Sequence, residues 1–208
     1  LTAEEFRLIN PNTMTCPVFR SERDAALTKK LYRAAPVLIA EGPPAVNPWG
    51  IRFMAMIHMS NDSGLFHEAP APNRLPLYEA KMIHQFDHRW ATYSADGSGD
   101  VSTAHKQDPT FGVTPRYWVE AAEVEARLRD KGWARGWLMG WRDICRATDE
   151  RTVIASMVPR VAVGHKMPLI FAQAAHSTRH VAALYGNLNA LALDYVARQK
   201  VGGTSLTY

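Results

Sequence analysis

The residues best suited to chemistry fall into a few short stretches. His84-Gln85-Phe86-Asp87-His88 sets two imidazoles four positions apart with a carboxylate between them. On a helix that spacing lets both rings share a metal, with Asp87 as a short general base. On a strand the rings share a face but stand about 13 Å apart, too far for one ion. The surrounding segment is dense in aromatic and β-branched residues, which favours strands. Structural or DNA-facing histidines are therefore the preferred reading, and a metal-dependent hydrolase using His84, Asp87 and His88 is the alternative. Asp143, Asp149 and Glu150 are interleaved with Arg142, Arg146 and Arg151. A nuclease needs carboxylates and a lysine gathered round a metal, and that spacing is missing, so an ion-pair network is expected.

A second set of residues is basic and polar. It comprises Lys81, His84, Gln85 and Arg89; then Arg142, Arg146 and Arg151; then Arg160, His165 and Lys166. A last group holds Arg198, Gln199 and Lys200, and runs on into Gly202, Gly203 and Thr204. Arg and Lys pair with phosphates or guanine edges, and Gln with adenine. The paired glycines let backbone N–H groups approach a phosphate. These residues are the expected contacts to double-stranded DNA. Arg142, Arg160 and Gln85 are the candidates for reading bases, and Arg198 and Lys200 for gripping phosphates. Charge distribution agrees: residues 131–208 hold 10 Lys/Arg against 4 Asp/Glu, whereas residues 1–130 hold 14 against 16. Concentrated positive charge is the footprint of a polyanion-binding face.

Asn47-Pro48-Trp49 is similar to the N-P-P-[FYW] motif of amino-methyltransferases, in which a carboxamide and a carbonyl accept hydrogen bonds from the target amino group. Here the second proline is missing, Gly50 follows, and no glycine-rich turn precedes it to hold a nucleotide-like cofactor. A proline-rich loop is the expected role.

The elements that position these residues can be read from periodicity. Ser21 caps a helix expected over 21–34, stopped before Pro36. Val37 to Ala40 reads as a short strand, and so does the alternation of Ile51, Phe53, Ala55 and Ile57. Residues 41–48, 61–76 and 96–108 read as loops, and 77–93 as strands. Arg116 to Val119 is an expected strand, followed by a helix from Ala121 to Lys131. Strands are expected again at 137–141 and 152–158. Val181, Leu184, Leu188, Leu191, Tyr195 and Val196 form one stripe of a single helix, capped by Ser177 and stopped at Gly202-Gly203. With no alternating βαβ pattern, the chain is expected to be α+β: a mixed, mostly antiparallel sheet with flanking helices.

At 208 residues, 47% apolar and 21% charged, the sequence excludes disordered and fibrous classes. No apolar run approaches the roughly 18 residues of a membrane span. Cys16 and Cys145 are isolated, as expected of reduced thiols in the cytoplasm. The chain opens at Leu1 without Met and stops at Tyr208 after an ordered-looking segment, so both ends read as cuts.

Four stretches resemble the C-terminal region of bacterial adenine-specific DNA methyltransferases of the type IIG restriction–modification and DISARM-associated kind. They run from Asn10 to Ser21, from Pro76 to Arg89, from Trp141 to Thr152, and from Asp194 to Thr204. The resemblance implies that residues 76–208 form a TaqI-like target-recognition domain, truncated at its C-terminus, with 1–75 as a helical connector. It implies that the S-adenosylmethionine site and the N-P-P-Y motif lie in a catalytic domain N-terminal to this chain, which holds no cofactor itself. It also implies an apolar continuation beyond Tyr208 and a shortened segment between Asn61 and Pro76. A third reading is an interaction module of a defence complex, using the helix over 178–198.

Overall fold

The computed structural model describes residues 1–173 and 175–207; Ala174 and Tyr208, the last residue of the expected recognition segment, lie outside the described residues. In chain order it contains α1 (Ala3–Ile9), α2 (Glu22–Ala34), β1 (Arg52–Met54), β2 (Arg74–Tyr78), β3 (Ala91–Ser94), β4 (Gly97–Asp100) and α3 (Thr103–Gln107). There follow β5 (Trp118–Glu120), α4 (Ala121–Asp130), β6 (Trp137–Trp141), β7 (Ala155–Pro159), β8 (Ala162–Val163), β9 (Leu169–Phe171), α5 (Thr178–Leu188) and α6 (Leu191–Lys200). Helices with open, mostly antiparallel sheets make an α+β fold, as the pattern of the sequence predicts.

The central sheet has the order β1-β9-β6-β7, antiparallel throughout. Successive side chains of a strand point to opposite faces, and both faces are covered here. Leu138, Val158, Leu169 and Phe171 enter one core together with Val124 and Leu128 of α4 and residues of the second sheet, β5-β2-β8. Met139, Trp141, Ala155 and Ile170 enter another, against Val181 and Leu184 of α5. Burial on both sides explains why the run Trp137 to Trp141 shows no alternation with polar residues.

Ser21 caps α2 by accepting from the Asp24 amide, and Ser177 caps α5 by accepting from His180. Several expectations need correction. Val37 to Ala40 forms no strand; Ala40 makes one isolated bridge to Val46. Residues 97–100, expected as loop, pair with β3 as a hairpin, and 103–107 are helical. The single long helix over 178–198 is two helices, because Asn189 leaves the helix to serve the sheet. Its Oδ1 accepts from the Ala155 amide at 3.2 Å, and its carbonyl accepts from Arg151 at 2.7 Å. Leu191 consequently falls off the buried stripe and is 74% exposed.

The expected boundary between residues 75 and 76 falls inside β2, and β1 already pairs with β9, so residues 52–75 contribute strands to the same sheets as the rest. The N-terminal helices pack on α6: Tyr195 donates to Asp24 at 2.6 Å, and the Val18 amide donates to the Gln199 carbonyl at 3.0 Å.

Candidate nucleic-acid interface

Residues 81–89 are positioned by a tight turn rather than by strands. His84 and Asp87 exchange backbone hydrogen bonds of 2.7 and 3.0 Å, closing Gln85 and Phe86 between them. Phe86 adopts φ +60°, the left-handed region that such turns reserve for Gly or Asn. The ring contacts Tyr185 edge-on at 5.2 Å, yet the residue is 64% exposed. What holds the strained turn is Gln85, whose carboxamide donates to the Val153 carbonyl at 3.2 Å and to that of Asn189 at 3.5 Å.

Arg142, at the end of β6, clamps the same segment from below. Its guanidinium donates through Nε to the Ile83 carbonyl at 2.8 Å, through Nη2 to that same oxygen, and to Lys81 O at 3.4 Å. Burial and the nearby Arg142 charge hold the His84 ring below the ordinary histidine range. The ring stacks obliquely on Trp90 at 4.4 Å. A cavity of about 170 Å³ opens beside it, lined by Arg142, Asp149, Glu150, Arg151 and Thr152. Arg151 Nε and Thr152 Oγ1 are buried without a hydrogen-bond partner among the described residues.

Asp194 joins the fourth stretch to this cluster. Only 4% exposed, its carboxylate accepts from the Thr152 and Val153 amides at 2.8 Å each and from Arg198 at 3.2 Å. Arg198 also donates to the carbonyls of Ala147 and Glu150 at 3.1 and 3.0 Å. The Cys145 amide donates to the Thr204 carbonyl at 3.1 Å, and Lys166 pairs with buried Asp143 at 2.9 Å. Lys81, His84, Gln85, Arg142, Arg151, Arg198 and Thr204 are thus brought together, while Arg146 lies exposed in the same stretch.

Other candidates lie elsewhere or face inward. Arg89 donates to the carbonyls of Lys106, Asp108 and Phe111. His165 Nδ1 accepts from the Met59 amide at 3.3 Å, and its ring stacks on His58 at 5.1 Å. Arg160 grips Glu125 in a bidentate pair, with both contacts at 2.7 Å, at the opposite end of β6 and β7. Gln199 is 7% exposed. The Lys200 ammonium is tucked between the Ile9 carbonyl at 2.7 Å and the Tyr32 ring at 4.6 Å, and burial brings its pKa down to about 8. Gly202 and Gly203 are exposed with no atom near enough to contact an added Cβ, so the fold itself does not require glycine at either position.

Among the described residues no group of three or more His, Cys, Asp or Glu is arranged to hold a metal ion. Asp87 instead pairs with Lys106 at 2.8 Å. Asn47, the methyltransferase-like carboxamide, is closed on its own loop: Oδ1 accepts from the Ile51 amide and Nδ2 donates to the Ile51 carbonyl, both at 2.9 Å. It fits a turn staple rather than an amino-group acceptor. Asp194 and Asn189 organise the cluster but were not among the expected site residues, while Asp143, expected in an ion-pair network, pairs with Lys166. Asp194 leaves a signal in the sequence, an acid three positions before Ala197 and so on the same side of α6 as that apolar residue.

No protein-family model matches this chain. Comparison with curated proteins likewise returns no match. Among the described residues, no helix is long and apolar enough to cross a membrane.

Proposed function

We propose that this chain is the sequence-specific DNA-recognition part of a bacterial adenine-N6 DNA methyltransferase, from a cytoplasmic restriction–modification or phage-defence system. In this reading S-adenosylmethionine and the transfer chemistry belong to a catalytic domain of the same polypeptide, outside this chain. Because β1 and β2 begin before residue 76, the connector role narrows to the segment ahead of β1.

One observation carries the reading. The stretches 76–89, 141–152 and 194–204 each resemble the DNA-reading region of that family, and they pack on one another through the bonds of Arg142, Gln85, Asp194 and Arg198. Together they present Phe86, an exposed aromatic kept in a costly backbone conformation. Strain of this kind persists where function selects it. An apolar ring standing out beside cationic side chains suits insertion between base steps, with Lys81 and Arg146 contributing salt-dependent attraction to phosphates.

The test is fluorescence anisotropy with a labelled random-sequence duplex across a salt series. Binding in the range of about 10⁻⁴ to 10⁻⁶ M at physiological salt, tightening as salt falls, is expected of the non-specific mode. Phe86→Ala and Lys81→Gln should each weaken it. No binding even at low salt would overturn the proposal. With tritiated S-adenosylmethionine, the chain alone should transfer no methyl group to duplex DNA.

A further inference from the structure

At the other end of β6 lies a larger cavity of about 490 Å³, walled by the loop before β1, the loop before β6 and the residues after β9. Two guanidiniums, Arg52 and Arg135, line it together with Gln173 and Trp133, and among the described residues no carboxylate does. Among the described residues neither arginine makes an ion pair.

Both guanidiniums are held in place by one arm. Arg52 Nη2 donates to the Lys131 carbonyl, and Arg135 Nη2 donates to the His176 carbonyl at 2.9 Å. Arg135 also lies 5.4 Å from the ring centroids of both Trp133 and Trp137. The loop that presents Arg135 is itself clamped: Arg160, fixed by Glu125, donates to the carbonyls of Trp133 and Arg135 at 2.9 and 3.0 Å. Each fork keeps further N–H groups beyond its anchoring arm.

Two glycines with left-handed backbones stand in its wall. Gly50, at φ +54°, packs so closely on Gln173 that a Cβ would stand 2.8 Å from the Gln173 Cβ. Gly132, at φ +62°, is the turn whose added Cβ would meet Arg52 Nη2 at 4.0 Å. The result is a preorganised, cationic cavity of ligand size with two planar forks and no counter-charge.

We propose that this cavity is a binding site for a phosphate group, held by the free N–H groups of Arg52 and Arg135 with Gln173 as a further polar contact. Guanidinium forks match phosphate oxygens in bidentate geometry, and a polyanionic phosphate supplies the counter-charge that the lining lacks. The phosphate belongs either to a free nucleotide or to a nucleic-acid strand. The site does not depend on the DNA-reading proposal: Arg135 and Arg142 stand at opposite ends of β6, roughly 23 Å apart along the strand direction.

The experiment is isothermal titration of the chain with pyrophosphate at low ionic strength, repeated with Arg52→Gln, Arg135→Gln and Gln173→Glu. Saturable one-site binding is expected for the wild type. Each variant should weaken it by about tenfold or more, the loss of one charge-assisted hydrogen bond or the gain of a repelling charge. Gln173→Glu is near-isosteric at an exposed position and leaves both arginine anchors intact, so its folding, checked by circular dichroism, is secure even if an arginine variant unfolds. Competition by a short DNA duplex assigns the phosphate to nucleic acid. Competition by a nucleoside triphosphate but not by the duplex assigns it to a free nucleotide. No binding of pyrophosphate by the wild type, or binding unchanged in folded Gln173→Glu and in the folded arginine variants, overturns the site. An outcome in which pyrophosphate binds but no duplex does leaves this site standing and removes the DNA-recognition reading.

Discussion

Phe86 shows most directly how one residue reveals function by being locally unfavourable. A β-carbon in the left-handed region costs roughly 1–2 kcal/mol, and a bulky aromatic there gains little burial in return. Glycine normally destabilises relative to alanine; at this turn the order should reverse. Phe86→Gly is expected to be more stable than Phe86→Ala by about 1 kcal/mol, while both lose DNA affinity to the same degree. Chemical denaturation of the two variants checks the first part, and equal stabilities would show that the turn is unstrained. His84 and His88 offer a second residue-scale test. Burial, with Arg142 beside one ring and Arg89 beside the other, holds both below the ordinary histidine pKa. The unfolded chain therefore takes up protons first on acidification, and stability falls as pH drops below about 6.5. His88→Phe should flatten that acid limb, read as the melting temperature between pH 7 and 5. A variant with the wild-type slope would show that His88 contributes nothing to it.

At the scale of elements, β6 and α6 work by different means. β6 is sandwiched: Leu138, fully buried, belongs to one core, and Met139, 1% exposed, to the other. Leu138→Ala should cost about 2–5 kcal/mol, as for other fully buried leucines, and a melting temperature near wild type would contradict the two-faced packing. α6 is docked by polar contacts at Asp194, whose carboxylate satisfies two buried amides and Arg198. The difference decides what was legible in the sequence. Helix starts were legible because Ser21 and Ser177 act through local hydrogen bonds, and β6 because an apolar run of strand length admits one reading. The break at Asn189 was not, because its cause is the Ala155 amide, 34 residues away in sequence. The candidate cluster was legible in part for the same reason. Its residue types stood out, but the partners that turn Arg89 and Arg142 inward are backbone carbonyls, which every sequence contains and no pattern distinguishes.

For the molecule as a whole, the C-terminal excess of positive charge and the many internal bonds of its arginines are compatible. A guanidinium bonded to a neutral carbonyl keeps its charge, so Arg142 adds to the field around the cluster even while it clamps Ile83. Only those facing carboxylates, such as Arg160 with Glu125 and Lys166 with Asp143, are neutralised nearby. The two roles separate by mutation. Arg146 is exposed, and its side chain makes no hydrogen bond or ion pair among the described residues. Arg146→Gln should leave the melting temperature unchanged, weaken binding to all duplexes about equally, and lower the salt slope by about 1. Arg142→Gln removes the clamp as well as the charge, so it should destabilise the fold and weaken binding together. Its donors to the Ile83 carbonyl are partly buried, and an unpaired buried carbonyl costs about 1–3 kcal/mol. Anisotropy across a salt series, run beside thermal melts of both variants, reads the two effects independently. If Arg146→Gln leaves the slope unchanged and Arg142→Gln affects binding only in proportion to its loss of folded protein, the positive half of the chain holds the fold together and does not meet phosphates.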